Sequence, residues 1–155
     1  MKLFLLLIIS VISIFAFVSL IKKQSLESQL IIASENGNIQ KIKKLLSSGV
    51  NVNSKEHFSP DAGTPLIWAV RCEQEKAVKI LLAAGADPNI TCGTGETALF
   101  FAIGGSTNDA SSIIIKELIL AGANTEKEKF ESLPVDDPNR IAFEKAIKLR
   151  KGVSQ

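Results

Sequence analysis

A tripeptide and an alanine return along this chain at a spacing of 33 residues, and this repetition restricts the possible folds more than any other feature. The tripeptide TPL at residues 64–66 returns as TAL at residues 97–99, and Ala69 returns as Ala102. Periods of about 20–50 residues are typical of proteins that stack copies of one small structural unit. Because a single copy cannot bury its own apolar face, neighbouring copies must pack against each other.

The repeated unit predicts a pair of helices followed by a turn. Thr64 is a suitable N-cap, and Pro65 fits the first helical position, where it loses no hydrogen bond. Leu81 is predicted to be fully buried between stacked helices, and Gly85 can adopt the positive φ that ends the second helix. The next residues, DPN at 87–89, favour a turn. Similar endings occur at residues 45–53 (LLSSGVNVN) and 118–124 (LILAGAN).

This pattern, with TPL opening one helix and LLxxGADxN closing the next, resembles the ankyrin repeat over about residues 26–124. The resemblance implies an all-α solenoid of stacked helix-turn-helix pairs with projecting hairpin loops. The first pair is predicted near residues 26–35 and 39–48. We assign residues 25–155 to this domain, with repeats at about 26–53, 54–89 and 90–124 and a C-terminal cap at 125–151.

The cap is predicted to contain a helix from Pro138 to Lys151. Its packing stripe is expected to consist of Ile141, Ala142, Ala146 and Leu149. Five basic residues and one acidic residue lie between residues 140 and 151, which indicates a solvated outer face, with a membrane-surface role as the alternative.

Residues 1–24 form a separate N-terminal segment. Residues 3–21 carry no charge, and as a helix they would span about 28 Å, close to the bilayer core of about 30 Å. This length predicts one N-terminal transmembrane helix, an uncleaved signal anchor that makes the protein a single-pass membrane protein. The alternatives are a signal peptide cleaved after Ala16, which would give a secreted product, and a buried core helix.

The orientation of the anchor depends on flanking charges that are nearly balanced. Lys2 lies on one side, and Lys22 and Lys23 lie on the other. The short basic lead favours placing the repeat domain on the exported side, periplasmic or extracytoplasmic.

Two positions depart from the family pattern. Ankyrin repeats usually carry a His after TPL, but Ile67 and Phe100 stand there, so that polar link between hairpins is missing. The next residues, Trp68 and Phe101, occupy equivalent positions one repeat apart. They are interpreted either as core residues or as a partly exposed aromatic strip. The spacing of the helix-ending glycines also indicates extra loop residues at 54–63 and 104–109.

No group of residues predicts catalysis, a cofactor or a metal. His57 is the only His, and its neighbours Glu56 and Asp61 suggest a hydrophilic loop. Cys72 and Cys92 are too few for a structural zinc site, and we expect them at opposite ends of the repeat. Residues 25–155 contain 15 basic and 16 acidic residues, a balance that argues against nucleic-acid binding. A small-molecule substrate is not expected either.

The resemblance therefore implies a non-enzymatic protein-binding module that contacts an unidentified protein partner through its concave face and hairpin tips. An assembly or stability accessory, chaperone-like and acting on another protein at the membrane or in the periplasm, is the alternative. By register with the family, the expected contact residues are His57, Phe58, Gly63, Arg71, Cys72, Thr94, Glu96, Gly104 and Gly105.

Overall fold

A computed structural model describes residues 25–55, 61–106, 108–125 and 134–153 of the chain. These residues form seven helices and no strand. None of these helices has the length and apolarity that a bilayer crossing requires, and the predicted anchor lies outside the described residues. The helices are α1 (25–35), α2 (Ile39–Ser47), α3 (Pro65–Arg71), α4 (Glu75–Ala83), α5 (Ala98–Gly104), α6 (Asp109–Leu120) and α7 (Pro138–Val153).

The predicted starts of the first helices are confirmed. The Thr64 hydroxyl accepts a hydrogen bond from the Ile67 N–H at 3.3 Å, and Pro65 is the first helical residue of α3. Thr97 caps α5 in the same way, with its hydroxyl 3.1 Å from the Phe100 nitrogen. A Thr at this position satisfies an amide that has no partner inside the helix, so the repeated Thr fixes where α3 and α5 begin. We call the first helix of each pair (α1, α3 and α5) the inner helix and the second the outer helix.

The predicted end of the second helix is also confirmed at Gly85, whose φ is +86°. The Gly85 N–H donates to the Leu82 carbonyl at 3.0 Å, and the Ala86 N–H donates to the Leu81 carbonyl at 3.0 Å. These two bonds form a Schellman motif, which requires a left-handed residue and therefore favours Gly. The chain then leaves the helix pair toward the next hairpin.

The core follows the stacking of one repeat on the next. Leu81 is fully buried, as predicted, and so are Leu66, Leu99 and Leu118 on three other helices. Ala69 has no exposed surface, and its small side chain allows neighbouring helices to approach closely. The bounds given to each repeat in the sequence analysis stay predictions.

Asparagine side chains join successive hairpins in place of the missing His link. Asn53 accepts from the Asp87 N–H at 2.9 Å and donates to the Gly85 carbonyl at 3.4 Å. One repeat later, Asn89 accepts from the Asn124 N–H at 2.7 Å and donates to the Gly122 carbonyl at 3.2 Å. Each Asn therefore satisfies the backbone beyond the helix end of the following repeat.

The predicted helix in the cap is present as α7, but its predicted packing stripe is partly wrong. Ile141 is 52% exposed and Leu149 is 44% exposed, whereas Ala146 is buried and Ala142 is half-buried. The buried side of α7 is formed instead by Phe143 and Ala146 together with the polar Asn139. The position of α6 decides which face is covered, because α7 packs mainly on that helix.

Candidate interaction surface

Three residues at equivalent positions of the inner helices form a row across the repeats. Ile32 in α1, Trp68 in α3 and Phe101 in α5 are separated by 36 and 33 residues. Each is followed by a buried alanine, which places the three at the same point of each repeat. Ile32 is exposed, whereas Trp68 and Phe101 are half-buried. The two aromatic residues therefore form a partly exposed strip. We call these three residues the inner row.

Arg71 holds the two aromatic rings of the inner row together. Its Cζ atom lies 4.7 Å from the centroid of the Trp68 ring and 5.0 Å from that of Phe101. Both distances are within the range of about 6 Å for cation–π attraction, which contributes about 0.5–1 kcal/mol at exposed sites. The guanidinium therefore bridges two repeats on one surface.

Asp61 fixes the other side of the Arg71 guanidinium. Its Oδ2 atom lies 3.4 Å from Nη1 and 3.5 Å from Nη2 of Arg71. A partly exposed pair of this kind contributes about 0–1 kcal/mol to stability, so its main effect is on the orientation of the guanidinium. The sequence places Asp61 only in a hydrophilic loop, and its pairing with Arg71 is not predicted from the repeat pattern.

Phe100 extends the surface on α5. It is 47% exposed and meets Phe101 in an edge-to-face arrangement, with ring centroids 5.7 Å apart. Ile67, the equivalent residue of α3, is buried. The apolar surface is therefore widest at the third repeat.

The predicted contact glycines have different surroundings. Gly63 is buried, and a Cβ atom there would lie 3.1 Å from Ile67 Cγ2 and 3.2 Å from Trp68 Nε1. The Gly63 backbone therefore lies close to the Nε1 edge of the Trp68 ring. Gly104 and Gly105 are exposed at the end of α5, where a Cβ at Gly104 would meet open space.

Cys72 is the C-cap of α3 and is exposed beside Arg71. Desolvation raises the pKa of its thiol, the Glu35 carboxylate raises it further, and Arg71 opposes both. The role of Cys72 in binding stays a prediction.

The polar side chains of the hairpin before α5 hydrogen-bond to one another. The Glu96 carboxylate accepts hydrogen bonds from the Thr94 hydroxyl and, at 3.1 Å, from the Cys92 thiol. The hydrogen bonds from Thr94 and then Cys92 hold the pKa of Glu96 below its ordinary value. Thr94 and Glu96 therefore shape this hairpin tip, and their role in binding stays a prediction.

A second tie between repeats, also missed from the sequence, connects the turn between α3 and α4 with the loop between α5 and α6. Glu73 has a φ of +54°. It accepts from the Asn108 side chain at 2.8 Å and from the Ser106 N–H at 3.3 Å. Hydrogen bonds from the side chains of Ser106 and Asn108 hold the pKa of Glu73 below its ordinary value. Gly37, 36 residues earlier, also has positive φ, but it has no side chain, so the recurrence of this turn does not predict the carboxylate contact.

Two predicted contact residues, His57 and Phe58, lie outside the described residues. Within the described parts of the chain, no three His, Cys, Asp or Glu side chains come together as metal ligands would. Among the described members of the predicted contact set, Arg71 lies beside Cys72, and the Trp68 ring lies close to both Arg71 and Gly63. Thr94 and Glu96 form a separate hydrogen-bonded pair.

Comparison with known proteins identifies the architecture. The family profile of ankyrin repeats, in three copies, matches residues 30–129. A fowlpox virus protein named for its ankyrin repeats is 34% identical over 76% of this chain and 34% of its own length. The BRCA1-associated RING domain protein 1 of Caenorhabditis elegans is 35% identical over 63% of this chain and 13% of its own length.

Human mitochondrial disaggregase is 38% identical over 41% of this chain and 9% of its own length. In all three relatives the matched region is a minor part of a longer protein, between 9% and 34%. The chain belongs to the ankyrin-repeat family.

Proposed function

We propose that this protein is a non-enzymatic interaction module that binds a protein partner through the surface formed by Trp68, Arg71, Phe100 and Phe101. Ankyrin repeats generally mediate protein–protein interaction, which supports the class of function. The choice of surface rests on the described side chains. The exposed Cys72 lies beside Arg71 at its edge, and Thr94 and Glu96 are proposed to extend it.

The observation that carries the proposal is the Arg71 guanidinium held between the Trp68 and Phe101 rings. Trp and Arg are enriched among the residues that dominate binding energy at interfaces, together with Tyr. A side chain that is already fixed on the unbound surface loses less conformational entropy on binding. Asp61 and the two rings fix Arg71 in this way, so the surface is suited to bind without rearrangement.

The test uses the full chain, tagged and solubilised from membranes, as bait for quantitative affinity capture. Arg71→Glu removes the cation and adds a repulsive charge to the surface. We expect a partner recovered in stoichiometric amounts with the wild type and at least about thirtyfold weaker binding with the variant, the loss typical of a dominant interface residue.

Lys76→Glu provides the control, because Lys76 is exposed on the outer helix α4 and undergoes the same change of charge. Its partner recovery should equal that of the wild type. Equal recovery with Arg71→Glu would place the interface elsewhere. Many clients in small amounts, in place of one stoichiometric partner, would favour the chaperone-like accessory.

We further propose that residues 3–21 anchor this module in a membrane, with the repeats on the exported side. The support is the uncharged run of 19 residues, which as a helix is about as long as the bilayer core is thick. Intact-mass measurement of the native protein tests the anchor. A retained N-terminus and sedimentation with membranes are expected, whereas a soluble product lacking the first 16 residues or more would indicate a cleaved signal peptide.

A further inference from the structure

The outer face of the C-terminal cap carries an apolar groove between α6 and α7. Its volume is about 440 Å³. The floor is formed by Ile113 of α6 and by Ala142 and Ala146 of α7, and the α7 side chains Ile141 and Leu149 form a wall. Ile141 and Leu149 are the two residues that the sequence analysis wrongly placed in the packing stripe. Their exposure leaves a row of apolar side chains that no described part of the chain covers.

We propose that this groove binds an amphipathic helix of a partner protein, with an apolar face toward the floor and acidic residues along its edges. From Pro138 to Leu149 the groove is roughly 16 Å long, at about 1.5 Å per residue of α7. This length matches about three turns of a docked helix. Recognition of apolar residues at i, i+3, i+4 and i+7 is the usual way in which such a helix occupies a groove.

The charged residues at the edges of the groove, which we call its rim, favour an acidic ligand. Lys116 of α6 and Lys145 of α7 line the groove, and none of its lining residues is acidic. Both lysines are exposed, and neither forms an ion pair with the described residues. The nearby Arg140 and Glu144 pair with each other at 3.1 Å, so the acidic residue on this part of α7 is already neutralised. Acidic flanks on the bound helix would therefore meet complementary charge.

The same charges argue against a second copy of this chain as the occupant. Two caps placed face to face would bring together two grooves whose charged lining residues, Lys116 and Lys145, are all basic. The opposite end of the solenoid also has basic side chains, Lys41 and Lys44, beside the cleft lined by Leu26 and Leu45. End-to-end stacking would thus also oppose like charges, which disfavours association.

Shape distinguishes a helix from a lipid surface. Surface-bound segments insert projecting apolar side chains into a bilayer. Here the apolar floor is recessed between two helices, where a side chain from a partner can reach it and a flat surface cannot. The concave floor therefore favours a protein helix.

The experiment measures binding of a fluorescent peptide to the full chain in nanodiscs of neutral phosphatidylcholine, with empty nanodiscs as the blank. The peptide carries Leu at i, i+3, i+4 and i+7 over about three turns and Glu at the other positions. We expect saturable binding that weakens with salt, whereas a peptide of the same composition in scrambled order should not bind.

Paired variants test the site. Reversing both rim charges with K116E and K145E should weaken binding by about tenfold or more, since each rim pair changes from attraction to repulsion. K148E with K151E makes the same change of charge on α7 outside the groove and should leave binding unchanged. Ile141→Asp should abolish binding, while Ile32→Asp, at an equally exposed residue of α1, should have no effect.

Several results would overturn the proposal. Binding that is equal in all variants would show that the peptide does not occupy the groove, and loss with Ile32→Asp alone would place it on the inner row. Self-association that is lost in Ile141→Asp, without peptide binding, would make a second copy the occupant. Recruitment of separate phosphatidylserine vesicles that requires Lys116 and Lys145, again without peptide binding, would make it a bilayer.

Discussion

Asn53 accepts a hydrogen bond from the backbone N–H of Asp87 at 2.9 Å, although the two residues are 34 positions apart. The same contact recurs between Asn89 and Asn124 at 2.7 Å. Each bond gives a hydrogen-bond partner to a backbone N–H that lies outside the helices, and the partner is an asparagine side chain of the preceding repeat. They supply between hairpins the polar connection that the family usually obtains from the His after TPL.

Asn89→Ala should destabilise the domain by about 1–2 kcal/mol, because two inter-repeat hydrogen bonds are lost together. Denaturant unfolding followed by circular dichroism measures this loss. Asn36→Ala is the matched control, since Asn36 makes only a local bond to the Ile32 carbonyl, and it should cost clearly less. Equal losses in the two variants would show that the inter-repeat hydrogen bonds of Asn89 contribute no more to stability than a local bond does.

Leu81→Ala should cost about 2–5 kcal/mol, because Leu81 is fully buried and its truncation leaves a cavity in the stack. With few repeats to share the loss, we expect the domain to be largely unfolded at 37 °C. Leu120→Ala, at a residue 44% exposed, should change the melting temperature little. A melting temperature close to wild type for Leu81→Ala would refute the stacking described above.

Arg71→Ala should move the emission maximum of Trp68 to longer wavelength. Trp68 is the only tryptophan, and removal of the guanidinium 4.7 Å from its ring centroid lets water reach the ring. Steady-state fluorescence of the folded protein measures the shift. Arg140→Ala, at an arginine of α7 that pairs with Glu144, should leave the spectrum unchanged. An unchanged spectrum in Arg71→Ala would mean that the two side chains do not stack in solution.

The bonds to Glu73 predict a dependence of stability on pH. Its folded pKa lies below the ordinary value of 4.5, so its contribution to stability is present above pH 4.5 and is lost as the pH falls through the folded pKa. Glu73→Gln should therefore be less stable than the wild type at pH 7, and the difference should shrink in acid. Ser106→Ala, which removes the side-chain donor with the largest effect on this pKa, should weaken the pH dependence as well. Denaturant unfolding between pH 3 and 7 measures both, and parallel pH profiles for wild type and Glu73→Gln would contradict it.

The repeat made most of the helical architecture predictable. Several features could be predicted because the local preference of a residue agrees with the period of the array. These features are the caps at Thr64 and Thr97, the helix end at Gly85 and the burial of Leu81. Agreement between local preference and overall fold is what allows a sequence to be interpreted in this way.

The cap was less predictable because it lies outside the repeat. The predicted stripe of Ile141, Ala142, Ala146 and Leu149 fits helical spacing, but so does the buried set of Asn139, Phe143 and Ala146. Only the neighbouring helix decides between them. Buried Asn139 illustrates the difficulty, since its side chain donates to the Ile103 carbonyl at 3.2 Å, and this acceptor is 36 residues away.

The candidate surface was predictable in part. The register placed Trp68 and Phe101 next to each other, and family resemblance selected Arg71. The position of a long side chain between two rings depends on its rotamer and on the Asp61 carboxylate, which periodicity does not encode.

Arg150 of α7 donates to the Ala123 carbonyl at 2.8 Å and to the Ile119 carbonyl at 3.4 Å, at the end of α6. An asparagine from the preceding repeat bonds to Gly122 as well, so the backbone at this point is already engaged from both sides. A duplicated repeat inserted directly after Asn124 would displace Arg150 and α7 from these carbonyls. A copy of residues 54–89 inserted directly after Asn89 would instead preserve these bonds, because each asparagine would still precede a repeat that offers the same backbone groups and α7 would stay on α6.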